Sequence, residues 1–166
     1  GRRFGIPAGT IRPGESIAPL AGTREGLFLL PQVVTPRRAS DSNQPPAVLI
    51  PNPFYHTYAG AALAAGAEPV FLNTTRETRY LPDLDTVSPD LWARTSLAYL
   101  CSPSNPAGTV ADLDYLKRFI AIAREHDFCL VVDECYAELY YGDPPPSALQ
   151  AALELGAGRE KKGDPI

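Results

Sequence analysis

Residues 109–136 read TVADLDYLKRFIAIAREHDFCLVVDECY, and a change of period inside this stretch decides the fold. Leu113, Leu116, Ile120 and Ala123 make one apolar stripe at the three-and-four spacing of a helix packed on a core. Thr109 precedes it with Asp112 three residues on, a pattern close to a capping box, so a helix is predicted over Thr109–Asp127. The helical period then stops, and Phe128–Val132 is apolar at every position. A strand without alternation is covered on both faces, which is the habit of parallel sheets.

Outward from this stretch the same alternation repeats. Ala47–Pro51, Glu68–Leu72 and Ser96–Cys101 read as strands. His56–Ala65 is Ala-rich and stopped by Gly66, so it reads as a helix. A short helix is expected near Leu84–Trp92 and a last one over Ala148–Leu155. Gly22-Thr23 opens a helix whose apolar part runs from Leu27 to Val34, and Pro31 inside it predicts a kink or an early end. Residues 1–20 read as irregular, and 37–47 as an exposed loop. The expected fold class is α/β: a three-layer α/β/α sandwich on a mainly parallel sheet, with right-handed crossovers.

Composition narrows the function. The 166 residues suffice for one domain. A net charge of −4 argues against a nucleic-acid partner. No apolar run approaches the roughly 18 residues of a membrane span. The start, GRRFG, lacks the apolar stretch of a signal peptide, and free thiols in a reducing compartment make the cytoplasm the expected location. Cys101, Cys129 and Cys135 are odd in number and lie in or beside apolar runs, which predicts buried free thiols. His56 and His126 are the only histidines and no Cys-x-x-Cys exists, so neither a metal site nor a Ser-His-Asp triad is expected. Leu130–Glu134 resembles the acidic strand end of a nucleoside triphosphatase, but no Gly-Lys pair supplies a phosphate loop.

In parallel α/β sheets ligands sit beyond the carboxyl ends of the strands. That rule singles out Asn52–Tyr55, Ser102–Gly108 and Asp133–Tyr136. Asp133-Glu134 either serves a site or merely ends a strand. Gly22 and Thr23 at a helix start offer backbone N–H groups to a phosphate, with Arg24 adding charge. Tyr55 and Tyr58 flank a strand end, where an aromatic stacks on a flat ligand or packs the core. Asn105, stiffened by Pro103 and Pro106, suits either a fixed hydrogen bond to a ligand or a simple turn.

Read in order, these segments closely resemble the class I/II pyridoxal-phosphate aminotransferases. Gly22-Thr23-Arg24-Glu25 is similar to the family's Gly-Ser/Thr-x-Glu turn. Pro53-Phe54-Tyr55-His56-Thr57-Tyr58 is similar to its Pro-x-aromatic-x-x-Tyr, and Gly66-Ala67 also matches. Ser102-Pro103-Ser104-Asn105-Pro106-Ala107-Gly108 resembles its Asn-Pro-Thr-Gly signature, with Ala107 in the Thr place. Asp133-Glu134-Cys135-Tyr136 is similar to its Asp-Glu-x-Tyr.

The resemblance implies the cofactor pyridoxal 5′-phosphate, an electron sink for a carbanion at an amino acid's α-carbon. It also implies cofactor-binding roles. Asp133 would pair with the pyridine nitrogen, and Asn105 and Tyr136 would hydrogen-bond the phenolic oxygen. Tyr55 would stack on the ring, while Gly22, Thr23 and Arg24 would hold the phosphate. The family's Schiff-base lysine is expected just past Ile166. Lys161 and Lys162 lack its serine context and are not assigned.

With no Met and a charged end at 158–166, residues 1–166 read as a partial cofactor-binding large domain, without catalytic lysine or small C-terminal domain. On this reading the chain alone is inactive, and the whole protein is a homodimer taking amino acid and 2-oxo acid substrates. The run from Gly22 to Val34, with Pro144–Leu149, resembles the succinyldiaminopimelate aminotransferase branch, which uses glutamate as donor in bacterial lysine biosynthesis. Two other classes stand beside this one: a non-catalytic binding or regulatory module on the same fold, and another pyridoxal-phosphate enzyme such as a lyase.

Overall fold

The computed structural model describes residues 4–36 and 44–156. Most of the predicted 37–47 loop, and Lys161 and Lys162, lie outside them. In chain order the elements are helices α1 (Pro13–Ser16) and α2 (Thr23–Val34), strand β1 (Ala47–Asn52), helix α3 (His56–Ala64) and strand β2 (Glu68–Asn73). There follow a 3₁₀ turn (Leu84–Thr86), helix α4 (Pro89–Ala93), strand β3 (Thr95–Cys101), helix α5 (Leu113–His126), strand β4 (Cys129–Asp133) and helix α6 (Ala148–Glu154).

The four strands form one all-parallel sheet in the order β2-β1-β3-β4. Alternate side chains on each strand point to opposite faces, and the core divides accordingly. Ala47, Leu49, Ala98 and Leu100 pack with Leu116, Phe119 and Ala123 of α5 and Ala151 of α6. Val48, Ile50, Leu97 and Tyr99 pack with Leu27 of α2 and Tyr58 and Ala62 of α3. This is the expected three-layer sandwich. Coverage of both faces is complete only on β1 and β3. Most of β4, expected to be apolar and covered throughout, is half-exposed, because it is the edge of the described sheet.

Several boundaries differ from the sequence reading for local reasons. The helix after the Ser102–Gly108 segment starts at Leu113, not Thr109. Asp112 is its cap, accepting the Tyr115 amide at 2.8 Å. Thr109 instead closes the preceding loop: its amide donates to Ser104 Oγ at 3.0 Å and its carbonyl accepts the Ser104 amide at 2.9 Å. The helix ends where Asp127 turns left-handed at φ 56°. Ser88 caps α4 and Pro89 starts it, which separates this helix from the 3₁₀ turn and divides the single helix expected at Leu84–Trp92. The supposedly irregular start contains the one-turn α1, which buries nothing.

Pro31 neither ends nor shortens α2, which continues to Val34. A proline at position 31 deprives the Leu27 carbonyl of its helical donor. The hydroxyl of buried Tyr99, reaching across from β3, donates to that carbonyl instead.

Candidate active site

Each strand ends at the same cleft, of about 230 Å³. Pro51 and Pro53 reach it from β1, Thr74 from β2, Cys101 from β3 and Asp133 from β4. The lining also includes Thr23, Arg24, Tyr55, Asn105 and Tyr136, so six of the seven expected site residues meet there. Gly22, the seventh, is one residue away as the N-cap of α2.

The start of α2 is left open. Gly22 provides no side-chain cap, so the first amides of α2 keep their donors facing outward. A Cβ at position 22 would come within 2.8 Å of the Glu25 carboxylate, which the glycine lets fold back over the turn. Arg24 does not simply extend into solvent: its Nε donates to Tyr55 Oη at 2.8 Å. The Thr57 side chain and then the Arg24 guanidinium hold the Tyr55 phenol below the usual tyrosine range. Tyr55 is half-buried, with Tyr58 edge-on to it at 5.8 Å.

Asp133 is the buried acid of the cleft, 8% exposed. Its Oδ2 accepts the Tyr58 hydroxyl at 2.8 Å and its Oδ1 accepts the Cys135 amide at 3.2 Å. Each carboxylate oxygen retains a lone pair for a further donor. Glu134, next in sequence, turns away from Asp133's role. Its carboxylate accepts the Ala148 amide at 2.7 Å and the Ser147 hydroxyl at 3.0 Å, and so caps α6. The Asp-Glu pair is therefore divided between the cleft and a helix start.

The loop bearing Asn105 is held from within. Ser102 Oγ accepts the Ala111 amide, Ser104 Oγ the Thr109 amide, and the Ser104 carbonyl the Gly108 amide at 2.7 Å. Asn105 is exposed at its tip. Tyr136 is 36% exposed in the turn after β4.

Sequence reasoning missed three contributors. Tyr58, read with Tyr55 as either stacking on a ligand or packing the core, instead closes the Pro53–Tyr58 motif as the hydrogen-bond donor to Asp133. Tyr80 lines the cleft from a loop in which it and Arg79 both adopt left-handed backbone, at φ 57° and 53°, which no residue pattern announced. Cys135 is exposed and not buried as expected, since it lies past the end of β4. The residue nevertheless lines the cleft, and partial burial followed by the Asp133 charge pushes its thiol up to about 12. Cys101 and Cys129 are half-buried, and all three cysteines are free. Among the described residues no His, Cys, Asp or Glu group is arranged to hold a metal, and no helix is long and apolar enough to cross a membrane.

A parallel sheet with a cleft at the carboxyl ends of its strands, carrying one buried acid among largely apolar walls, is the ligand-binding arrangement of open α/β domains. Residues 7–160 match the family "Aminotransferase class I and II", and the chain belongs to that family of pyridoxal-phosphate-dependent transferases. It is 35% identical over 158 residues to the LL-diaminopimelate aminotransferase of Syntrophobacter fumaroxidans, covering 95% of this chain and 37% of the relative. A solved aminotransferase from Neisseria meningitidis superposes with TM-score 0.73 at 40% identity, over 81% of this chain and 33% of the other. Apo-BacF from Bacillus subtilis superposes with TM-score 0.76 at 31% identity, over 90% and 35%. The chain thus spans little more than a third of the length of the relatives it matches.

Proposed function

We propose that the intact protein carrying this chain moves an amino group between an amino acid and a 2-oxo acid, and that residues 1–166 are most of its cofactor-binding domain. The observation that carries the reading is the convergence of Thr23, Arg24, Tyr55, Asn105, Asp133 and Tyr136, from separate segments, on one cleft at the strand ends. Pyridoxal phosphate fits this donor set. An uncapped helix start receives an anion, and a buried carboxylate with spare lone pairs receives a protonated ring nitrogen.

When bound, the cofactor supplies an electron sink for the substrate's α-carbon. The amides of Gly22, Thr23 and Arg24 would hold the phosphate, with the α2 dipole favouring its charge. Asp133 would hold a proton on the ring nitrogen through an ion pair strengthened by burial. Tyr55 would lie against the ring, its tilt set by the bond from Arg24. Asn105 and Tyr136 would donate to the phenolic oxygen. The lysine that attacks the cofactor, the small domain and a second copy of the chain would come from the rest of a cytoplasmic homodimer, so the isolated chain would not transaminate.

The S. fumaroxidans relative's name supports a substrate of the diaminopimelate series; glutamate as donor and a place in lysine biosynthesis rest on the resemblance of Gly22–Val34 and Pro144–Leu149 to the succinyldiaminopimelate branch. Whether the substrate is succinylated is decided by assay. The intact protein is mixed with pyridoxal phosphate, reduced with borohydride and mapped for modified lysine. Transfer from glutamate to the succinylated and free 2-oxo acids is then measured side by side. Modification of a lysine outside residues 1–166 together with amino transfer supports the proposal. Absence of cofactor binding would return the chain to the class of non-catalytic modules.

A further inference from the structure

Resting on that reading of Asp133, we infer that Tyr58 is the positioning residue that orients this carboxylate and keeps the ring-nitrogen proton of the bound cofactor in place. Tyr58 is 1% exposed, and its hydroxyl reaches Asp133 Oδ2 at 2.8 Å. It is fixed on its other side as well. Its ring stacks on Tyr99 with centroids 4.2 Å apart and planes 12° from parallel, and Tyr99 is anchored in turn by its bond to the Leu27 carbonyl of α2. A buried line thus runs from the helix assigned to the phosphate, through two stacked rings, to the acid assigned to the ring nitrogen. Neither tyrosine is listless packing: each hydroxyl has one buried acceptor, and each acceptor belongs to an element lining the cleft.

The direction of the effect follows from the donor. A hydrogen bond given to a carboxylate is strongest while that carboxylate carries its charge, so the Tyr58 hydroxyl favours the arrangement in which Asp133 is the anion of an ion pair. A proton shared between a ring nitrogen and such a carboxylate therefore stays on the nitrogen. Burial, then the nearby Asp133 charge, hold the Tyr58 phenol well above the usual tyrosine range, so it remains a donor at any working pH. The Cys135 amide on Oδ1 adds a second donor, but a longer one at 3.2 Å. Both bonds are charge-assisted, and the shorter one from Tyr58 is the stronger of the two.

The test uses the intact holoenzyme loaded with pyridoxal phosphate labelled with ¹⁵N in the ring, comparing wild type, Tyr58→Phe and Asp133→Asn. Tyr58→Phe keeps the stacked ring and removes only the hydroxyl. The expected result is a ring-nitrogen shift in Tyr58→Phe that moves from the pyridinium value toward that of unprotonated pyridine. It should be accompanied by about a tenfold or greater loss of cofactor affinity, the size expected when a hydrogen bond to a charged group is removed. A Tyr58→Phe protein with wild-type ring-nitrogen shift would overturn the inference while leaving the Asp133 assignment standing. A wild type whose ring nitrogen is already unprotonated, or unmoved by Asp133→Asn, would overturn the assignment itself.

Discussion

The Tyr99 hydroxyl donates to the Leu27 carbonyl, the one acceptor in α2 that Pro31 deprives of its helical partner. One long-range bond therefore does two things. It lets a proline-containing helix run to Val34, and it ties the helix whose start faces the cleft to the central strand β3.

Removing that hydroxyl should be costly, because Leu27 is buried and its carbonyl would be left without a donor. Tyr99→Phe is expected to lose about 1–3 kcal/mol of folding stability, measured by denaturant unfolding of the intact protein. Pro31→Ala restores an N–H at position 31. In the Tyr99→Phe background it should recover most of the loss, and a strictly additive double mutant would contradict the pairing.

The two acids of the Asp133-Glu134 pair should separate cleanly. Glu134 caps α6, so Glu134→Ala is expected to cost roughly 1–2 kcal/mol of stability while amino transfer per folded molecule is retained. Asp133→Asn should show the reverse: a fold close to wild type by circular dichroism, and transfer reduced by about 100-fold or more. Equal losses of activity from both variants would contradict the division.

For α5 the true cap is distinguishable from the apparent one. Asp112→Ala should lower stability by about 1 kcal/mol through loss of the bond from the Tyr115 amide. Thr109→Ala should leave the melting temperature nearly unchanged, since both contacts of Thr109 to Ser104 use its backbone. A larger effect at Thr109 would restore the longer helix.

Cys135 offers a pH test. Its thiol titrates at an ordinary 9.0 when the chain is unfolded and at about 12 in the fold. Below pH 9.0 both states hold the proton. Between 9.0 and about 12 only the folded state does, so stability should fall as pH rises through that window. Alkylation by iodoacetamide at pH 8 should be slow for so exposed a residue, and faster in Asp133→Asn, where the opposing charge is gone. Reaction at the rate of a free thiol would contradict the raised value.

Much of the architecture was legible before the structure. Apolar strands alternating with an amphipathic helix admit few solutions besides a covered parallel sheet, and the polar residues after Pro51, Cys101 and Val132 had to fall at its carboxyl end. Those are local properties: period, propensity and the direction of a chain. Family motifs added the identities of Asp133, Asn105 and Tyr55, which patterning alone left open between site and turn.

What the sequence could not reveal depends on partners distant along the chain. Whether Pro31 stops α2 was decided by Tyr99, 72 residues away from the carbonyl it satisfies. Whether Tyr58 is packing or site was decided by Asp133, 75 residues away. Thr109 and Asp112 both carry capping side chains, and the choice fell to Asp112 because the backbone of Thr109 was already engaged by Ser104. A residue's type sets which bonds it can make. The fold brings the partner within 3 Å or does not, and only that tertiary proximity turned these residues into a helix support, an acid's donor and a loop clasp.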